Sequence, residues 1–170
     1  FFEKKDYKKS IIYLNRIKRD PTYNFDSSIL KSIIFRILKE KKKAVANQRI
    51  AYKSFDSHLR ELESKYESLI KDNDFQEAKK LIQEKIKARR KMSELCLDLY
   101  LFHEKNTDSH IYLSQSINVY PQNHKALYYM GLIHKTRCLN EAITYFIKSL
   151  QQEWDFYEGH IQIAECYKAI

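Results

Sequence analysis

A chain of 170 residues is long enough to bury a continuous core, and its two Gly and two Pro exclude folds that depend on many tight turns, β-hairpins above all. A hydrophobic content of 44%, with thirteen Tyr and nine Phe, excludes a disordered polyelectrolyte, and no run approaches the roughly 20 continuous apolar residues of a membrane span. The net charge of +9 is uneven: residues 1–53 hold 15 Lys+Arg against 5 Asp+Glu, whereas residues 54–170 hold 16 against 17.

In chain order, ten helices are expected: 4–18, 26–40, 43–56, 58–71, 75–89, 91–104, 108–119, 123–136, 139–151 and 156–169. Phe1-Phe2-Glu3-Lys4-Lys5 enters the first without a cap or the layout of a signal peptide, which reads as a middle piece of a longer protein. Arg19-Asp20-Pro21 marks a turn. In the second helix Leu30, Ile33, Ile34 and Ile37 form an apolar stripe at helical spacing. The segment from Arg36 to Lys43 is the densest basic stretch, either a solvated helix end or a patch for an acidic partner. Between 57 and 105 the helices are evident but their register is not. A coiled-coil hairpin competes there, with heptads too short to carry it. Asp74 and Asp108 are placed as helix N-caps, and Pro121-Gln122-Asn123 marks a further turn.

The chain also repeats itself. Ser10, Ala46, Ala78, Ser109 and Ala142 recur at intervals of 36, 32, 31 and 33 residues. Four residues after each stands Leu14, Ile50, Ile82, Leu113 or Phe146. A small residue admits a neighbouring helix, and the apolar residue one turn on fills the space beyond. The clearest unit reads Leu127, Met130, Gly131, His134, then Ala142 and Phe146. It resembles the tetratricopeptide pattern, with a turn one residue shorter and Trp154 where that family usually has Pro. Pro121 holds the equivalent place in the preceding half-unit, and His160, Ile163, Ala164 and Tyr167 continue into the following one. Ile34 stands where the family has a small residue, so the first pair is expected to be packed more widely.

The resemblance implies an all-α fold, an α-solenoid of antiparallel helix pairs wound as a right-handed superhelix. Residues 1–170 would form a single array: a half-repeat over 1–20, pairs over 26–56, 58–89, 91–119 and 123–151, and a half-repeat over 156–170. It implies a protein–protein interaction scaffold that takes a peptide or helix of a partner in a concave groove, as a subunit of a larger complex. The groove positions would be Lys31, Phe35 and Lys39 in the first pair, Lys125, Tyr128, Leu132 and Lys135 in the best-registered one, and Ile161, flanked by Glu158 and Glu165, in the next. One branch of the family clamps a chaperone's C-terminal carboxylate with Lys, Asn and Arg. Tyr128, Tyr129 and Leu132 occupy such places here, which disfavours that ligand.

The residues suggest no chemistry. Six scattered histidines form no HExxH pair, and two glycines build no phosphate loop. Cys96, Cys138 and Cys166 fit neither a disulfide framework nor a zinc motif. They read as buried or half-buried small hydrophobes in a reducing, intracellular setting, cytoplasm or nucleus. The protein is expected to be no enzyme and to need no cofactor or metal. Two further partners stay open: RNA or another acidic molecule on the basic N-terminal third, and a second copy of the chain through the repeat ends.

Overall fold

The computed structural model describes residues 4–17, 21–103 and 109–170. Those residues are all-helical, in eight helices. These are α1 (Lys4–Ile17), α2 (Pro21–Ile37), α3 (Lys41–Lys71), α4 (Phe75–Phe102), α5 (His110–Val119), α6 (His124–Lys135), α7 (Leu139–Gln152) and α8 (Tyr157–Ala169). None is long and apolar enough to cross a membrane. The chain divides into two compact units, 1–95 and 96–170, with the boundary inside α4.

The count of ten is corrected to eight because two expected turns do not exist. One 31-residue helix replaces 43–56 and 58–71, and one 28-residue helix replaces 75–89 and 91–104. The cause is an apolar line that runs through both places. On α3 it comprises Ala44, Gln48, Ala51, Phe55, Leu59 and Leu62, all buried, continued by half-buried Tyr66 and Leu69. On α4 it comprises Ala78, Leu81, Lys85, Ala88, Met92, Leu95 and Leu99, all buried or half-buried. Steps of three and four residues keep one face of a helix toward its neighbour. The spacing therefore continues unbroken along both helices, while α3 itself packs on α2.

The two long helices are joined by Asp72-Asn73-Asp74. Asn73 adopts the left-handed conformation, φ 58°. The N–H groups of Asn73 and Asp74 donate to the carbonyls of Ile70 (3.2 Å) and Leu69 (2.9 Å), the bond pair that closes a helix C-terminus. Asp74 Oδ1 accepts from the Glu77 N–H at 3.1 Å, so it caps α4 as expected. Asp108 lies outside the described residues. Lys85 Nζ then bridges α4 to Glu63 of α3 at 2.5 Å.

In the first unit α1 lies on α2 and α2 on α3. α2 starts at Pro21, not at 26. Proline's missing N–H costs nothing at the first helical position, and its fixed φ suits the helix. The expected stripe of Leu30, Ile33, Ile34 and Ile37 is not the buried face. Phe25, Ser28, Ile29 and Ser32 are buried, whereas Leu30 and Ile37 are exposed. Ser28 and Ser32 are both fully buried, and Ser32 Oγ donates to the Ala44 carbonyl of α3 at 3.0 Å. The contact is built from small side chains, contrary to the wide packing expected from Ile34. The repeat register shifts with it: Ala44 is buried and Ala46 exposed. Likewise Ala78 is buried, but Ile82 is exposed.

In the second unit α5, α6, α7 and α8 lie each against the next. The register here is the expected one. Ser109, Leu113, Ala142 and Phe146 are all buried. Gly131 explains why α6 and α7 fit: a Cβ there would stand 2.5 Å from Phe146 Cε1 and 2.7 Å from Cδ1. One core gathers Leu97, Tyr100, Leu113 and Ala126, and a second gathers Ala142, Ile143, Phe146 and Cys166. Asn123 caps α6, accepting from the Ala126 N–H at 3.1 Å while its Nδ2 donates to Ser116 Oγ at 3.3 Å. Ser149 Oγ ties α7 to the His124 carbonyl at 2.8 Å. All three cysteines are free thiols, Cys96 and Cys166 buried and Cys138 half-buried.

Candidate functional site

The residues of α6 expected to line a groove stand 3, 4 and 3 positions apart, at 125, 128, 132 and 135, so they share one face of the helix. Lys125 begins this line, exposed, in the first turn. Tyr128 and Leu132 are half-buried and lie against the core of Ala142, Ile143, Phe146 and Cys166. Tyr128 is walled by rings, edge-on to Phe156 at 5.1 Å and to Tyr129 at 5.4 Å, and tilted on Phe146 at 5.7 Å. Burial pushes its phenol above the ordinary value, and the neighbouring Tyr129 and Glu158 add to this. Tyr128 is therefore a neutral donor or acceptor at working pH.

Lys135 closes the line and connects it to α8. Its Nζ donates to Glu165 Oε2 at 2.6 Å and to Gln162 Oε1 at 2.8 Å. The Lys135 hydrogen bond, then its charge, hold the Glu165 carboxyl below the usual carboxylate range. Ile161 is exposed on the same helix, one residue before Gln162. The structure thus brings Tyr128, Leu132 and Lys135 of α6 beside α8, with Lys125 exposed on the same face of α6. Such a strip can hold alternate side chains of an extended peptide, or the apolar edge of a helix.

Sequence reasoning missed two members. Gln162 shares Lys135 with Glu165, and Phe156 forms the wall against Tyr128. Phe156 precedes α8 at its N-cap position, where only the shortness of the α7–α8 turn could have indicated it.

Lys31 and Phe35 lie four residues apart on α2, with Lys39 just past its end, and the three form no comparable strip. Lys31 is only 3% exposed and so offers no surface to a partner. Phe35 is half-buried, with Lys43 Nζ 5.5 Å over its ring. Lys39 is exposed beyond the end of α2 in the left-handed conformation, φ 59°. Its N–H and that of Glu40 close the helix on the carbonyls of Arg36 (2.9 Å) and Phe35 (2.8 Å). Lys41, Lys42 and Lys43 follow, all exposed, with Lys43 paired to Glu40.

His134 is half-buried. It stacks on Tyr145 at 5.0 Å and pairs with Glu141. Its surroundings are those of a packing residue. No protein-family model matches the sequence, and no curated protein matches it.

Proposed function

We propose that the chain is a tetratricopeptide-like α-solenoid that serves as a protein-interaction scaffold, not an enzyme. The partner lays a peptide or a helix along α6 and α8, over Tyr128, Leu132 and Ile161, between Lys125 at one end and the Lys135–Glu165 pair at the other. The bonds from Lys135 to Glu165 and Gln162 carry this reading. They tie α6 to α8, which supports reading these as the first helices of successive pairs, side by side as in a solenoid's continuous binding face. Tyr128 supplies the rigid amphipathic ring favoured at interface centres. Three free thiols suit a reducing intracellular compartment.

The test compares the chain with two variants, Lys125→Glu plus Tyr128→Ala, and Ile161→Glu. Helicity is checked by circular dichroism, and co-purifying proteins are quantified by mass spectrometry. At least one partner should fall about tenfold with both variants, the effect of losing a central contact. Retention of every partner by both removes the groove from the proposal.

A second reading is favoured by the exposed lysines at the α2–α3 turn, Lys39, Lys41, Lys42 and Lys43, which suit RNA or another acidic partner. Gel shifts should then weaken steeply with salt, because released counterions drive such binding. No shift at low salt excludes it.

A further inference from the structure

An apolar line stands exposed along the first half of α4. On α4, Phe75 is 62% exposed, and Ile82 and Ile86 are each 42% exposed. They stand seven and four residues apart, which places them on one line of the helix. This is not the line α4 turns inward. Ala78, Leu81, Lys85, Ala88 and Met92 lie roughly 100° around the axis, at 100° per residue. Ile70, near the end of α3 and 37% exposed, adds a fourth apolar residue beside the turn.

The charges around the line are sorted. Lys79, Arg89 and Arg90 lie on the same side of α4 as Ile82 and Ile86. The two acidic residues of this stretch fall on the far side. Glu77 holds Lys80 at 2.7 Å, and Glu84 lines the cleft where Lys91 meets Asp26. Arg90 is linked to Glu94 at 3.0 Å, an exposed pair that a stronger partner can displace. Beside Ile70 the acidic neighbours are Glu63, already bonded to Lys85, Glu67, and in the turn Asp72 and Asp74, the latter occupied in capping α4. The α4 rim of the line is therefore basic.

That sorting selects among occupants. A second copy of the chain would set Lys79, Arg89 and Arg90 against the same three residues, and like charges across an interface are costly. A lipid surface needs a broad apolar face to enter, whereas this line is one residue wide. Spacings of seven and four are those of a helix–helix seam. We propose that Phe75, Ile82 and Ile86, with Ile70, dock an amphipathic helix of another protein, about three turns long, whose apolar stripe is edged by Asp or Glu. This surface is separate from the α6–α8 strip and does not depend on it.

The probe is a synthetic helical peptide of about five turns, with Leu on one stripe and Glu along its edges, labelled for fluorescence anisotropy. A second peptide carries Lys in place of each Glu. The full chain should bind the Glu peptide, less tightly as salt rises, and bind the Lys peptide about tenfold more weakly or worse. Ile82→Ser with Ile86→Ser, and separately Lys79→Glu with Arg89→Glu, should each weaken the Glu peptide about tenfold, with helicity unchanged. Tyr128→Ala should leave it unaltered, which separates this surface from the groove. Failure to bind the Glu peptide, equal binding of both peptides, or unchanged binding by either variant overturns the proposal. So does sedimentation showing a dimer that Ile82→Ser with Ile86→Ser abolishes, or tighter binding to vesicles of equimolar phosphatidylcholine and phosphatidylserine than to the peptide.

Discussion

Replacing Gly131 by Ala tests whether the α6–α7 contact is set by one missing methyl group. Two effects oppose each other. Alanine in a helix interior is favoured over glycine by about 1 kcal/mol. The new Cβ would stand 2.5, 2.7 and 3.0 Å from three atoms of the Phe146 ring, against about 3.5–4.0 Å for ordinary carbon contact. The ring must retreat by about 1 Å, yet Phe146 is fully buried among Ala142, Ile143 and Cys166. Overpacking costs about 1–3 kcal/mol, and a rigid, enclosed ring belongs at the upper end. The net expectation is a loss of about 2 kcal/mol. Gly159→Ala is the control. Its Cβ meets the Leu150 Cδ2 at 2.9 Å, the end of a flexible side chain, so the change should stay within about 1 kcal/mol. Urea unfolding gives both values. Phe146→Leu frees space and should recover about 1 kcal/mol in the Gly131→Ala background, measured as the coupling in a double-mutant cycle. A Gly131→Ala protein as stable as the parent, or one whose loss Phe146→Leu leaves uncoupled, refutes the reasoning.

Asn123→Ala should cost about 1–2 kcal/mol by thermal or urea unfolding, because it removes the α6 cap and the buried bond from Asn123 to Ser116. Lys39→Gly should stabilise the chain by about 1 kcal/mol, since a side chain at φ 59° bears a left-handed penalty that glycine escapes. The Glu165 carboxyl is held below its usual value by Lys135, so its contribution is present above the unfolded-state pKa and is lost as pH falls through the folded one. NMR titration should show the Lys135 and Glu165 signals moving together in the acid range, and Lys135→Met should return the Glu165 midpoint upward toward the ordinary carboxylate value.

The part of the fold legible in the sequence is the part whose signals are local. Gly131, Ala142 and Phe146 fixed the register of α6 and α7 to within a residue or two, because a small residue, a large one and a short polar turn act over one helical hairpin. The Lys125-Tyr128-Leu132-Lys135 line was legible for the same reason. Its connection to α8 was not. Lys135 and Gln162 are 27 residues apart, and which side chain meets that ammonium depends on how two pairs stack. Lys31 was misplaced because helical spacing alone cannot tell which face of α2 is inward. Ser32 faces α3 and Ser28 is buried while Leu30 is exposed, since serines admit close approach and a hydroxyl can bond a facing carbonyl.

The first unit shows why a regular period is weaker than a cap in deciding where helices end. At the ends of α2 and α3 the chain has a residue in the left-handed conformation, Lys39 or Asn73, and N–H groups that close onto the last carbonyls. At residue 57 the repeat calls for a turn, and Asp56 and Ser57 could cap a following helix for about 0.5–2 kcal/mol. Turning there would take Phe55, Leu59 and Leu62 off one continuous face. All three are buried, and each buried large apolar side chain contributes about 1.5–3 kcal/mol. The line of burial outweighs the cap, and Asp56 and Ser57 stay exposed inside an unbroken helix. Around residue 90 the balance is more one-sided, because Ala88, Met92 and Leu95 are buried and Arg89-Arg90-Lys91 offers no capping group at all. The exposed line of Phe75, Ile82 and Ile86 follows from the same choice. An unbroken α4 keeps those three residues on one side of a single helix, about 100° around the axis from its buried line.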